Sequence, residues 1–294
     1  MLSIRSDLAL ELREMFAEEI SGVESLRQDK DGINITHVKI KSEEAAKKIG
    51  KPVGNYVTVE IRDMSFPDEE ICERAANAVA TELRKLVPLM EKTSVLVVGL
   101  GNREITPDSI GPKTVSKIAV TRHISKVTEN NFNLAVRPVS AVAPGVLGIT
   151  GIETSEIIKG VLQHVKPDLI IAVDALAARN LSRLGTTLQL SDTGIVPGSG
   201  VGNHRKALDK ETLGVPVIAI GVPMVADVAT LAIDIMQNFS GSNQVSENKQ
   251  NLSLMARVLT DKGENMIVTP NDVDVISQQA SEIIAEGINI VLHG

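Results

Sequence analysis

Five short apolar runs between residues 94 and 223 set the strongest limit on how this 294-residue chain can fold. They are SVLVVGLG (94–101), RPVSAVAP (137–144), PDLIIAVDAL (167–176), TTLQLSD (186–192) and VPVIAIGVP (215–223), and several lack alternation of polar and apolar residues. A strand that is apolar on both faces must be covered on both, which is the condition of a strand inside a largely parallel sheet. Helical patterns separate some of the runs: KTVSKIAVTRHI (113–124), TSEIIKGVLQHV (154–165) and ADVATLAIDIMQNF (226–239). The rhythm predicts a layered α/β fold, with a mostly parallel or mixed sheet and helices on both faces, of the phosphorylase or hydrolase kind.

Upstream, INITHVKI (33–40) and NYVTVEI (55–61) alternate enough to read as strands of a small β unit near the N-terminus. PDEEICERAANAVATELRKLV (67–87) reads as a helix, with Ile71, Ala75, Val79 and Leu83 on one face and acids in its first turn. The polar stretch SGSNQVSENKQN (240–251) reads as a mobile loop. A last helix is predicted from Thr269-Pro270 to Leu292, with proline at its first position. No internal repeat is visible, and residues 8–294 are expected to form a single α/β domain.

Composition removes several function classes. With four Phe, one Tyr and no Trp, the core must be aliphatic and no stacking platform for single-stranded nucleic acid is present. A formal charge of −7 with scattered basic residues leaves no footprint for DNA. Cys72 is the only cysteine, so an internal disulfide and a thiolate metal cluster are excluded, and its place on an apolar helical stripe points to packing. The five histidines (His37, His123, His164, His204, His293) show no zinc-binding spacing. The opening MLSIRSDLALELREMF carries acids where a secretory signal would be apolar, and the apolar stretch 213–226 is too short to span a bilayer. A soluble protein of a reducing, cytoplasm-like compartment is expected.

In parallel α/β sheets ligands bind beyond the carboxyl ends of the strands. Three segments meet that condition: the turn after strand 94–101, with Asn102, Thr106 and Asp108; Asp174, at the end of LIIAVD; and the glycine-rich SDTGIVPGSGVGNHR (191–205). Thr106 as N-cap, Pro107 at the first helical position and Asp108 in the first turn make an ordinary helix start, and equally a carboxylate held ionised at a sheet edge. Asp174 lies among aliphatic residues, so it must be paired, protonated or placed at a solvated strand end, and Arg179 is a nearby partner. Two carboxyl groups in such different surroundings can divide the work of base and acid.

The glycines do not complete a nucleotide motif. GLGNRE has Glu104 where a third glycine would stand, and PGSGVGN lacks the lysine and hydroxyl of a P-loop. Ser199 is not in a G-x-S-x-G elbow. The loop, with Gly200 and Asn203, either lends backbone N–H groups to a substrate or is an irregular surface loop. Asp192-Thr193-Gly194 occurs once, so it reads as coincidence or as a supporting carboxylate.

GLGNREITPDSIGPK, RPVSAVAPGVLGITGIETSEII, DLIIAVDALAARN, SDTGIVPGSGVGNHRK and ETLGVPVIAIGVPMV closely resemble the germination protease family of endospore-forming bacteria. The resemblance runs from Ile4 to the final helix, although the polar stretch near 240–265 is shorter than in some relatives. It implies an atypical aspartic-type endopeptidase of the forespore or spore core, without a cofactor, whose substrates are small acid-soluble spore proteins. It also implies a homotetramer made as a zymogen that cleaves itself within IRSDLALE, between Asp7 and Leu8, so that residues 1–7 are a propeptide. The family's two implicated aspartates match Asp108 and Asp174, with Asn102, Thr106, Asp192, Gly200 and Asn203 as supporting candidates.

A more distant resemblance is to the hydrogenase-maturation endopeptidases, in which two carboxylates and a histidine bind the nickel of the substrate. No histidine of this chain fills that place by sequence, which favours the protein-only protease and leaves metal participation open. A nucleoside phosphorylase on a similar sheet, with PGSGVGN on phosphate, and a non-enzymatic oligomeric scaffold are the remaining alternatives.

Overall fold

The computed structural model describes residues 5–30, 32–61, 68–87, 89–90, 92–125, 136–198, 206–232 and 266–294. The chain begins with α1 (Ala9–Glu14), β1 (Val23–Lys30), β2 (Ile33–Ile40), α2 (Glu43–Ile49), β3 (Gly54–Glu60) and α3 (Glu69–Leu86). There follow β4 (Val95–Gly99), a 3-10 turn (Thr106–Asp108), α4 (Ile110–Val115), β5 (Val139–Val142), α5 (Leu147–Thr150), α6 (Thr154–Val165) and β6 (Leu169–Ala177). A second 3-10 turn (Leu181–Arg183), β7 (Thr187–Ser191), α7 (Lys210–Leu213), β8 (Val217–Asp227), β9 (Ile267–Val268) and α8 (Val273–His293) complete the order.

The strands form one nine-stranded mixed sheet in the order β1-β2-β3-β7-β8-β6-β4-β5, with β9 paired to β8. β5, β4, β6 and β8 run parallel, whereas β7 joins β8 and β3 antiparallel and β1, β2 and β3 extend the sheet as an antiparallel ribbon. β4, β6, β7 and β8 are buried on both faces, as the apolar runs without alternation predict, while the edge strand β5 is buried only at Val139. Val95, Val97, Ile171 and Val173 face a core shared with α3 and α8, while Leu96, Val98, Ile170 and Ala172 pack with Ile158 of α6 on the other face. Cys72 is half-buried against the first core, and burial together with the neighbouring acids Glu282, Asp68 and Glu69 pushes its thiol up.

Several boundaries differ from the sequence reading. The helix predicted over 113–124 is broken in two: Ile110–Val115, which starts three residues earlier because Gly111 fits against the end of β4 where a side chain would not, and a further helical turn at 122–125. Strand β8 runs on to Asp227, past the predicted end at 223, with Pro223 tolerated close to a shift in the β6–β8 register. Residues 226–227 therefore end a strand, 228–232 are helical, and the rest of the predicted helix 226–239 lies outside the described residues, as does the 240–251 loop. The last helix begins at Val273, so Pro270 precedes it instead of opening it. Strand β1, VESLRQDK, has no apolar run to announce it; it is an exposed, charged edge strand held by its ladder to β2.

Candidate active site

The site begins where β4 stops. The last β4–β6 pair is Gly99 with Val173, and the Leu100 N–H still donates to the Val173 carbonyl at 2.8 Å. The chain then reverses through Gly101 and brings α4 close behind the turn. A Cβ on Gly99 would lie 2.2 Å from the Gly111 carbonyl oxygen, and one on Gly111 would lie 2.2 Å from that of Leu100. These glycines serve close backbone approach, and what they bring to the sheet edge is Asp108.

Asp108 Oδ2 accepts the backbone N–H of Asn102 at 2.8 Å, while Asn102 Oδ1 accepts that of Glu104 at 3.0 Å. The expected capping role of Thr106 does not appear: the turn is capped by Ile105 without a side-chain bond, and Thr106 contributes its carbonyl to Ser109. Asp108 is thus held by the G-x-G-N turn before it, with only the short α4 behind.

Asp174 is the first residue of β6 beyond the end of β4, at the carboxyl edge the sequence pointed to. It is 4% exposed, and its Oδ1 accepts the N–H of Ala175 at 2.9 Å. Asp108 and Asp174 line one cavity of about 240 Å³, together with Leu100, Ile105, Thr154 and Gly198. The two aspartates chosen from sequence are brought together.

A third acid shares that cavity. Asp7, 7% exposed, donates its N–H to the Ala177 carbonyl at 2.9 Å and accepts the Ala177 N–H on Oδ2 at 2.9 Å. The N-terminal segment therefore lies on the edge of β6 that β4 leaves open. Leu8 is 0% exposed, in an apolar cluster with Leu176, Ala178, Leu184 and Ala226. Arg5 reaches Asp227 at 3.4 Å, and Glu11 accepts the N–H groups of Arg179 and Asn180 at 2.6 and 2.9 Å. Asp7 also lines a neighbouring cavity of about 220 Å³ with Lys51, Tyr56 and Gln189. Burial pushes the Lys51 ammonium below the ordinary lysine value, and the charge of Asp7 opposes that shift.

Asp192 sits apart from the shared cavity and binds Asn55, through Oδ1 to its N–H at 2.8 Å and Oδ2 to its Nδ2 at 2.6 Å. Gly200 and Asn203 lie outside the described residues. Among the described residues no three His, Cys, Asp or Glu side chains gather as a metal site, and no helix is long and apolar enough to cross a membrane. Sequence reasoning did not single out Gln189 or Ala177, because an amide and an alanine in strands carry no motif.

Carboxyl groups at a sheet edge, next to a chain segment that bonds to that edge through Asp7, suit an enzyme that hydrolyses peptide bonds. The family model described as germination protease matches residues 6–251. The germination protease of Caldanaerobacter subterraneus is 48% identical, with 100% of this chain and 95% of the relative covered. That of Clostridium acetobutylicum is 45% identical over 100% and 96%, and that of a Geobacillus species 38% identical over 100% and 94%. The chain belongs to the germination protease family and is a peptidase. Among solved structures, the [NiFe] hydrogenase maturation protease HycI from Thermococcus kodakarensis aligns at 18% identity over 69% of this chain and 94% of that one, with a TM-score of 0.37, a likeness too slight to argue from.

Proposed function

We propose that the chain is an endopeptidase that opens the degradation of small acid-soluble spore proteins during germination, with Asp108 and Asp174 as its catalytic pair. It is made in the forespore as a zymogen, assembles as a homotetramer and removes residues 1–7 by cutting between Asp7 and Leu8. The observation that carries this reading is that Asp7, next to the bond to be cut, shares one cavity with Asp108 and Asp174. In the reaction one aspartate takes a proton from water, whose oxygen adds to the peptide carbonyl carbon. The other delivers a proton to the departing nitrogen as the carbon–nitrogen bond breaks. Until that cut is made, Asp7 takes up the backbone groups of Ala177 on the open edge of β6, where a substrate would bind.

The deciding experiment incubates a small acid-soluble spore protein with the parent chain, Asp108→Asn and Asp174→Asn, and sequences the N-terminus of each enzyme. The parent should degrade the substrate and begin at Leu8. Each variant should be slower by about 10²–10⁴-fold and keep residues 1–7. Full activity in either variant, or active enzyme with an intact Met1, overturns the reading.

A further inference from the structure

Gln189 makes a two-point grip on the N-terminal segment. Its Nε2 donates to the Asp7 carbonyl oxygen at 3.0 Å, and its Oε1 accepts the Ala9 N–H at 2.7 Å, both buried. Asp7 stands at a bend and Ala9 opens α1, so the carbonyl before the turn and the first helical N–H are both within reach of one primary amide. The grip touches main chain only. It therefore sets register without reading side chains.

The sheet places this amide opposite Asp174. Asp174 of β6 and Gln189 of β7 both pair with Gly221 of β8, so the three form one lateral row and share a face. Adjacent strands lie about 4.8 Å apart, which puts the two outer residues of the row about 10 Å apart at the backbone. Gly221 between them carries no side chain, and a Cβ there would come within 2.5 Å of Leu176. A carboxyl group and an amide thus flank a floor covered by the Leu176 side chain, and Leu8 lies against Leu176 on that face.

We infer that Gln189 is a catalytic residue that binds and polarises the carbonyl of the bond being hydrolysed, in the chain's own N-terminal segment and in a substrate peptide that replaces it. The inference rests on the reading that Asp7–Leu8 is the processed bond. As water's oxygen bonds to the Asp7 carbonyl carbon, negative charge gathers on the oxygen that Gln189 Nε2 already faces. A fixed donor in a water-poor site stabilises that charge more than it does the starting carbonyl. Gln189 gives up no proton: when the carbon–nitrogen bond breaks, water's hydroxyl stays on carbon and its other proton goes to the Leu8 nitrogen. The Asn102 N–H is used on Asp108.

The test follows first-order self-processing of the full chain by mass spectrometry, in the parent, Gln189→Ala and the isosteric Gln189→Glu, with thermal unfolding to verify the fold. Both variants should cut the same bond about 100- to 1,000-fold more slowly, the loss seen when one such donor is removed. In cleavage of a separate spore-protein peptide by processed enzyme, kcat should fall more than KM rises. If Gln189→Ala does not fold, Gln189→Glu, which keeps the shape and replaces the donor with an acceptor, decides alone. A parent cut after Asp7 with variants equally fast overturns the assignment only. A parent cut at another bond overturns the underlying reading and the assignment with it.

Discussion

Gly101 and Asp108 are packed so closely that a Cβ on Gly101 would lie 2.1 Å from the Asp108 carbonyl oxygen and 2.9 Å from its Oδ1. Gly101 also has φ +105, a conformation that side-chain-bearing residues rarely adopt. The position of Asp108 is therefore set by a glycine seven residues before it. Gly101→Ala should displace the carboxylate, lowering peptidase activity by about 100-fold or more, the effect of a misplacement near 1 Å, and costing about 1–3 kcal/mol of stability. Gly50→Ala is the control: Gly50 has φ +79 but nothing within 4 Å of an added Cβ, so stability should drop by about 1 kcal/mol with activity unchanged. Equal activity in the two variants would show that Asp108 tolerates the shift.

The same turn shows what was legible in the sequence. Apolar runs without alternation identified β4, β6 and β8, and an acid in the turn after β4 together with one closing the apolar run LIIAVD pointed to Asp108 and Asp174, because strand ends in a parallel sheet share one edge. The role of the glycines was only half visible. Their spacing signalled a tight turn, but that Gly111 must lie against Leu100 depends on tertiary contact between β4 and α4. Strand β1 was illegible because its pairing to β2 uses backbone groups, which its polar side chains do not reveal. Gln189 was hidden for a similar reason: its meaning comes from the segment it touches, some 180 residues away in the chain.

Tyr56 offers an optical test of the second cavity. It is the only tyrosine in a chain without tryptophan. Burial raises its phenol from the ordinary 10.0 to about 12; a hydrogen bond with Thr193 works the other way, and the charge of Asp192 adds to the rise. The folded value lies above the unfolded one, so the stability linked to Tyr56 is fully present below pH 10 and is lost as pH rises towards 12. Ultraviolet titration should show phenolate appearing near pH 12 or together with alkaline unfolding. Thr193→Ala should move the midpoint higher. A midpoint near 10 in folded protein would mean that water reaches the ring.

Arg183 ties α1 to the strands. Its guanidinium forms a fork on Glu14 at 2.7 and 2.8 Å and lies 3.5 Å from both Glu11 and Glu60. Burial works to lower its pKa, but the Glu14 hydrogen bonds and the charges of Glu14, Glu11 and Glu60 outweigh it, so the group is held charged. Arg183→Met leaves Glu11 buried beside Glu60 without this cation, and should cost about 3 kcal/mol, the low end for breaking a buried pair because Glu14 is half exposed. Urea unfolding measures the loss. Adding Glu11→Gln should recover part of it by removing the stranded charge, and a further loss instead would show that Glu11 matters chiefly as a cap for Arg179 and Asn180.

Leu8 separates docking of the N-terminal segment from chemistry. Its side chain is fully buried against Leu176, Ala178 and Ala226, and substitution by alanine at such a site costs about 2–5 kcal/mol. The segment before α1 can leave without unfolding the sheet, so most of that cost should appear as detachment of residues 5–8. Leu8→Asp makes docking still less favourable, because a carboxylate cannot be left unpaired among those aliphatic groups. The intact Leu8→Asp chain should accordingly process itself more slowly than the parent, while tryptic cutting at Arg5 becomes faster. A chain with the edge of β6 vacated should also hydrolyse an added spore-protein peptide before any self-cleavage, which the parent should not. Self-processing at the parent rate in Leu8→Asp would show that docking of Leu8 does not govern the cut.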